Sequence, residues 1–259
     1  MKITILGCGA SSGVPQIGAG WGDCDPANLK NRRRRSSILV QNQTTDLLVD
    51  CSPDCRQQLL DVGISRLDGV LFTHAHADHC HGIDDLRWVN MAMGSDLQVY
   101  GLEEHLETIQ QKFSYVFEPL KAGINRFYYK PVLVRNDITK HVLVGDIEVD
   151  AFEQSHGYST TLGFRFGDIA YSTDVVRLNE AGFAALEGVK IWIVDCFRRE
   201  PHQTHSWLEQ TLSWIERIQP ERAILTHMGQ TLDYETLLAE TPHNVEPAYD
   251  GMVLEINKA

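Results

Sequence analysis

The 259-residue chain lacks any apolar run near the roughly 20 residues of a membrane span, so none is expected. Its apolar opening, Met1–Leu6, soon meets Gly7, Gly9, Gly13 and Pro15, which argues against a secretory signal. Cations are scarce: 23 Lys and Arg stand against 35 Asp and Glu, a formal net charge of -12. Such a chain repels polyphosphate at long range, so no broad nucleic-acid surface is expected. A small anion stays admissible, because local positive charge or metal can override the net sign. Cysteine pairing is also missing. Cys8, Cys24, Cys51, Cys55, Cys80 and Cys196 form no CxxC, and they read as reduced thiols of a cytoplasmic protein.

What is present suits a globular domain. Hydrophobic residues make up 43% and charged residues 22%, enough for a core, which excludes disordered and collagen-like classes. No repeat or linker interrupts the chain, so one domain over residues 1–259 is expected. Apolar runs predict strands over Lys2–Leu6, Ser37–Gln41, Asp46–Asp50, Gly69–Thr73, Gln98–Tyr100, Ile147–Phe152, Thr161–Phe166, Asp168–Tyr171, Ile191–Asp195, Ala223–Thr226 and Met252–Ile256. Helices are predicted over Cys55–Val62, Glu103–Phe113, Asn179–Leu186, Ser206–Gln219 and Tyr234–Glu240. In the fourth, Leu208, Leu212, Ile215 and Ile218 predict a buried stripe. This order points to two sheets with helices outside.

The strongest motif is Thr73-His74-Ala75-His76-Ala77-Asp78-His79, on the loop leaving a predicted strand. His74 and His76 can turn toward one point, and Asp78 and His79 toward a neighbouring one. Imidazole and carboxylate are ligands of Zn, Mn or Fe. So short a loop cannot complete two metal shells, so further ligands are expected at strand ends. His156, Asp174 and His227 each stand just past an apolar run.

The order HxHxDH, His, Asp, His resembles the metallo-β-lactamase superfamily, with Leu48-Val49-Asp50 as its first motif. The resemblance implies an αββα sandwich, two mixed sheets flanked by helices, with two divalent ions, Mn or Zn, at one sheet edge. It implies that His74, His76 and His156 bind one ion, that Asp78, His79 and His227 bind the other, and that Asp174 bridges them. Asp50 is then a partner orienting the histidine loop. Leu6-Gly7-Cys8-Gly9-Ala10-Ser11-Ser12-Gly13-Val14-Pro15, Asp85-Leu86-Arg87-Trp88 and Tyr249-Asp250-Gly251-Met252 are similar to PhnP-type phosphodiesterases. That likeness implies hydrolysis of cyclic or small nucleotide-type phosphodiesters, with a small phosphodiester or nucleotide as partner. Asp78 and His205 are the candidate catalytic residues, and Ser12 and His205 the candidate substrate contacts. Relatives of this kind often hold a structural zinc after Gly-Val-Pro. Here Cys24 stands alone and Gln230 occupies the region of the extra His, so no structural zinc is expected.

The ions would lower the pKa of water and clamp a phosphoryl oxygen, with His205 assisting at the phosphate or the leaving oxygen. A serine or cysteine nucleophile is not expected. The alternatives are a tRNA 3′-processing endonuclease of the same superfamily and a non-catalytic nucleotide-binding metalloprotein. Lactone or β-lactam hydrolysis ranks below both. A homodimer is an expectation. Gly7-x-Gly9-x-x-x-Gly13 reads as a turn, and Arg32–Arg35 as a solvated run with substrate contact as the alternative. His202 reads as a bystander of His205. Phe113, Tyr115 and Phe117 read as lid or dimer packing, and His81, His105, His141 and His243 as surface.

Overall fold

The computed structural model describes residues 1–119 and 130–256. Two mixed seven-stranded sheets face each other. The first runs β14 (Val253–Glu255), β1 (Lys2–Gly7), β2 (Ser37–Gln41), β3 (Asp46–Val49), β4 (Gly69–Leu71), β5 (Leu97–Gly101), β6 (Leu133–Asp137). The second runs β13 (Val245–Pro247), β12 (Arg222–Thr226), β11 (Ile191–Asp195), β10 (Ile169–Ser172), β9 (Thr160–Phe166), β8 (Ile147–Ser155), β7 (His141–Val144). From β3 to β6 and from β10 to β13 the strands are parallel; the rest pair antiparallel.

Side chains alternate across a strand, and the core shows it. Val49 and Leu71 face the inner core with Ile5, Phe164, Ile193 and Ile224 from both sheets. Their neighbours Leu48 and Val70 face an outer core with Leu59, Val89, Leu106 and Ile109. Those four lie on α1 (Cys55–Asp61), α3 (Leu86–Met93) and α4 (Glu103–Lys112); one helical turn, α2 (Ala77–Cys80), precedes α3. On the second sheet, α5 (Glu180–Leu186), α6 (Leu208–Ile218) and α7 (Tyr234–Glu240) add Leu186, Ile215 and Leu237 to the continuous hydrophobic cluster around it. Each such burial contributes about 1.5–3 kcal/mol. Trp192 satisfies its indole by donating to Ser172 Oγ at 3.0 Å.

The sequence reading missed β6, β7, β13, α2 and α3. The first three are short or carry polar residues, and α3 buries only Leu86, Val89 and Asn90 before a left-handed Gly94 ends it. The predicted strand Gly69–Thr73 stops at Leu71, which releases Thr73 for side-chain bonding. On α6 the fully buried residues are Thr211, Trp214 and Ile215, while Leu208, Leu212 and Ile218 are half-buried, so the core stripe is rotated from the expected one. His105 is buried, not exposed: its Nε2 lies 2.6 Å from the Thr160 carbonyl. Phe113, Tyr115 and Phe117 pack partly against the outer core. Among the described residues, no helix is long and apolar enough to cross a membrane.

Parallel strands bring their carboxyl ends to one edge, where loops can converge on a ligand. Behind that edge Gly82 touches backbone. A Cβ there would lie 2.0 Å from the Ser52 carbonyl oxygen and 2.6 Å from Cys55 Cβ. Gly82→Ala should cost about 1–3 kcal/mol by overpacking. An unchanged urea midpoint would contradict this packing.

Candidate metal centre

Five residues sit at carboxyl ends of parallel strands: Asp50 after β3, His74 after β4, Asp174 after β10, Asp195 ending β11 and His227 after β12. His156 follows β8, and His76, Asp78 and His79 come from the loop and turn after His74. Asp50, Asp174 and His227 have φ of 61°, 54° and 56°, left-handed values that side-chain-bearing residues rarely adopt. Such strain clusters at functional sites. Around Asp174 the surroundings enforce it. Thr161 Oγ1 donates to its carbonyl, Gln154 Nε2 to the Thr173 carbonyl, and Val175 N–H to Asp195 Oδ2.

The donor atoms form two groups that share Asp174: His74, His76, His156, Asp174 and Asp78, His79, Asp174, His227. Asp174 Oδ1 lies 3.7 Å from Nε2 of both His74 and His156, and Oδ2 lies 3.0 Å from His79 Nε2 and 3.4 Å from His227 Nε2. One carboxylate therefore faces both groups, one oxygen to each. Asp78 Oδ2 joins the second, 3.3 Å from His79 and 3.6 Å from His227.

The surroundings fix the tautomers. His79 Nδ1 bonds Asp50 Oδ2 at 2.7 Å, and His156 Nδ1 bonds the Thr204 carbonyl at 2.7 Å. Thr73 spends its hydroxyl proton on Asp50, so at 3.0 Å it accepts from His74 Nδ1–H. In all three rings Nε2 is left to face the centre. Nε2 of His74, His79 and His227 is buried without a hydrogen-bond partner. Unsatisfied buried nitrogens are costly, and a divalent cation satisfies them together with the carboxylates. The donor set thus fits two such ions, with N and O ligands suited to Zn or Mn.

Electrostatics point the same way. Burial pushes the His74 imidazole well below its usual range. Burial acts likewise on His79, yet Asp174, Asp78 and Asp50 hold it well above that range. His227 is raised to about 9, since Asp174, Asp78 and Asp195 outweigh its burial. Burial opposes ionisation of Asp174, but His227, His79 and His74 hold it well below the carboxylate range.

His205 lies beside these groups. Its ring stacks on His227 at 4.7 Å between centroids, and its Nδ1 is 3.1 Å from Asp195 Oδ2. His202 packs on Phe197 instead, its Nδ1 accepting from Thr204 N–H. Asp195 escaped the sequence reading. It is fully buried, and its Oδ1 lies 3.9 Å from His227 Nδ1, so it faces both His205 and His227. The signal was available, since Asp195 ends an apolar run just as Asp174 and His227 follow theirs. Ser12 is half-buried and donates to the Gly13 carbonyl; its loop is tied to the His227 strand through Ala10 N–H and the Met228 carbonyl. Gly9-Ala10-Ser11-Ser12-Gly13 spells GxSxG, but no helix follows it, so it is not a nucleophile elbow. Cys24 is buried, donating to the Gln230 carbonyl and receiving Arg33 Nη1 at 3.9 Å.

Residues 45–228 match the model of the beta-lactamase superfamily domain. The chain belongs to that superfamily. A crystal structure of a new diphosphatase from the PhnP family superposes with a TM-score of 0.90 at 29% identity, covering 99% of this chain and 98% of that one. An octanoyltransferase of Porphyromonas gingivalis is 31% identical over 97% of this chain, which spans about half (51%) of that relative's length. Human tRNase Z, short form, shares the fold, with a TM-score of 0.72 at 18% identity and full coverage of both chains (100%).

Metal uptake by the ion-free protein must displace protons from His79 and His227. At pH 7 it should release protons, and apparent affinity should still be rising as pH passes about 9, where His227 deprotonates. Calorimetric titration with Zn in two buffers of different ionisation enthalpy measures this; zero release would contradict the charge distribution.

Proposed function

We propose that the protein is a phosphodiesterase acting on cyclic or small nucleotide-type phosphodiesters, using two divalent ions, Mn or Zn. The observation that carries this reading is the donor set divided by Asp174, one carboxylate oxygen to each group, with the His205–Asp195 pair beside it. The likeness to a PhnP-family structure supports the phosphoryl substrate. Bound ions would supply Lewis acidity toward a phosphoryl oxygen and an activated water.

The residues then divide the work. His74, His76 and His156 would hold one ion and Asp78, His79 and His227 the other, with Asp174 offering an oxygen to each. Asp78, less buried than His79 and His227 in its own group, would also orient the attacking water. His205 turns Nδ1 to Asp195, which leaves Nε2 for a phosphate oxygen or the leaving oxygen. A second reading is diphosphate hydrolysis, the activity named for the PhnP-family neighbour. The tRNA endonuclease reading has less support, because the likeness to tRNase Z is one of fold and the charge of -12 disfavours RNA. Acyl transfer is not proposed, since the donor set is hydrolytic.

Bis(p-nitrophenyl) phosphate should be cleaved with Mn or Zn added, p-nitrophenyl phosphate much more slowly, and chelation should abolish both. Faster turnover of a β-lactam, a lactone or a nucleoside diphosphate than of any diester would replace this reading.

His205→Ala should lower kcat by about 10²–10⁴ on a cyclic ribose phosphate and less on the p-nitrophenyl diester, whose leaving group needs no proton. Asp195→Asn should lower it in the same direction, and the double variant should add little to His205→Ala. Unchanged kinetics for His205→Ala would remove it from the mechanism. His202→Ala is the control, expected to be nearly silent.

A further inference from the structure

The four arginines of Arg32–Arg35 do different things. Arg34 pairs with Asp61 and Asp250, Arg35 pairs with Asp54, and Arg32 lies over Trp21. Arg33 alone is fully buried, at 2% exposure. The groups receiving its hydrogen bonds carry no formal charge. Nη1 reaches the Gly229 carbonyl at 3.2 Å and Cys24 Sγ at 3.9 Å; Nη2 reaches the Leu232 carbonyl at 2.7 Å and Asn31 Oδ1 at 3.2 Å. Burying a cation without a carboxylate partner is expensive, so what the guanidinium holds matters.

It holds the segment just past His227. His227 sits at φ 56°, a conformation costing of order 1–3 kcal/mol that persists only where the surroundings enforce it. Met228 N–H donates to the Cys8 carbonyl, Gly229 N–H donates to the Phe197 carbonyl, and the Gly229 carbonyl receives Arg33. The first two clamps are backbone bonds that no side chain supplies. The third comes from a side chain, the Arg33 guanidinium at 3.2 Å, with Leu232 N–H reaching the same carbonyl at 3.4 Å. Phe197 also lays its ring 5.0 Å from His205, so the same segment supports the wall beside that histidine. A planar fork can bond acceptors on both terminal nitrogens, whereas the shorter, compact ammonium of lysine cannot span them.

We propose that Arg33 is a positioning residue for the metal centre, which by tying the loop of residues 229–232 to Asn31 and Cys24 holds His227 where the second ion needs it. The proposal rests on the reading of His227 as a metal ligand. The test compares the wild type, Arg33→Lys, His227→Ala and the double variant, titrating Zn against a chelator. Arg33→Lys should weaken one of the two ions about 10–100-fold, the usual effect of losing a residue that orients a ligand, and leave the other unchanged. In the His227→Ala background the same substitution should cost nothing further. Two ions bound as in the wild type, both weakened alike, or an equal loss in the His227→Ala background overturns the role of Arg33. If His227→Ala leaves both ions as tight as in the wild type, the ligand reading itself fails. Should Arg33→Lys not fold, Arg33→Ala is assayed with added methylguanidinium. Return of the second ion supports the proposal, while return of the fold without it, or no recovery, overturns it.

Discussion

One buried carboxylate organises this molecule. Asp174 faces His74 and His156 with one oxygen and His79 and His227 with the other. An ionised carboxylate in the interior is tolerable only with cations or donors around it, and the imidazoles brought to it come from loops of both sheets. The first sheet supplies the histidine loop after β4; the second supplies His156 and His227. The sandwich and the centre therefore depend on each other. The sheets must pack face to face for the donors to meet, and the donors must be satisfied for that edge to close.

The backbone records the same demand. Among the described residues, three of the four non-glycine residues in left-handed conformations, Asp50, Asp174 and His227, belong to the centre or its immediate support; Gln219 merely ends α6. A strand end with ordinary dihedrals would send each side chain elsewhere. Each turn is held by its neighbours: Gln154, Thr161 and Asp195 for Asp174, and Cys8, Phe197 and Arg33 for His227.

Around the ligands lies a layer of polar partners with one pattern. Asp50, Thr73 and the Thr204 carbonyl each take an Nδ1–H, which leaves Nε2 to face inward. Asp195 stands between His205 and His227 in the same layer. The chain is acidic overall, and Asp50, Asp78, Asp174 and Asp195 turn that charge inward against imidazoles, where a divalent ion would balance it.

The sequence alone determined the donor types and their order, because His74, His76, Asp78 and His79 crowd one loop and His156, Asp174 and His227 each follow an apolar run. It also determined most strands and the sandwich class, because alternation and short apolar runs are local signals. The tertiary structure decided the rest. A lone Asp195 at a strand end looks like any turn residue until β11 lies between β10 and β12 and aims it at His205. His105 looked exposed because one histidine on a polar helix carries no periodic signal; the Thr160 carbonyl that buries it is 55 residues away. Arg33 looked like one of four solvated arginines. It became a buried clamp only when Gly229 and Leu232, 196 and 199 residues downstream, folded back over it. Periodicity is local and so can be read from the chain; the partner that satisfies a buried polar group is chosen by the fold.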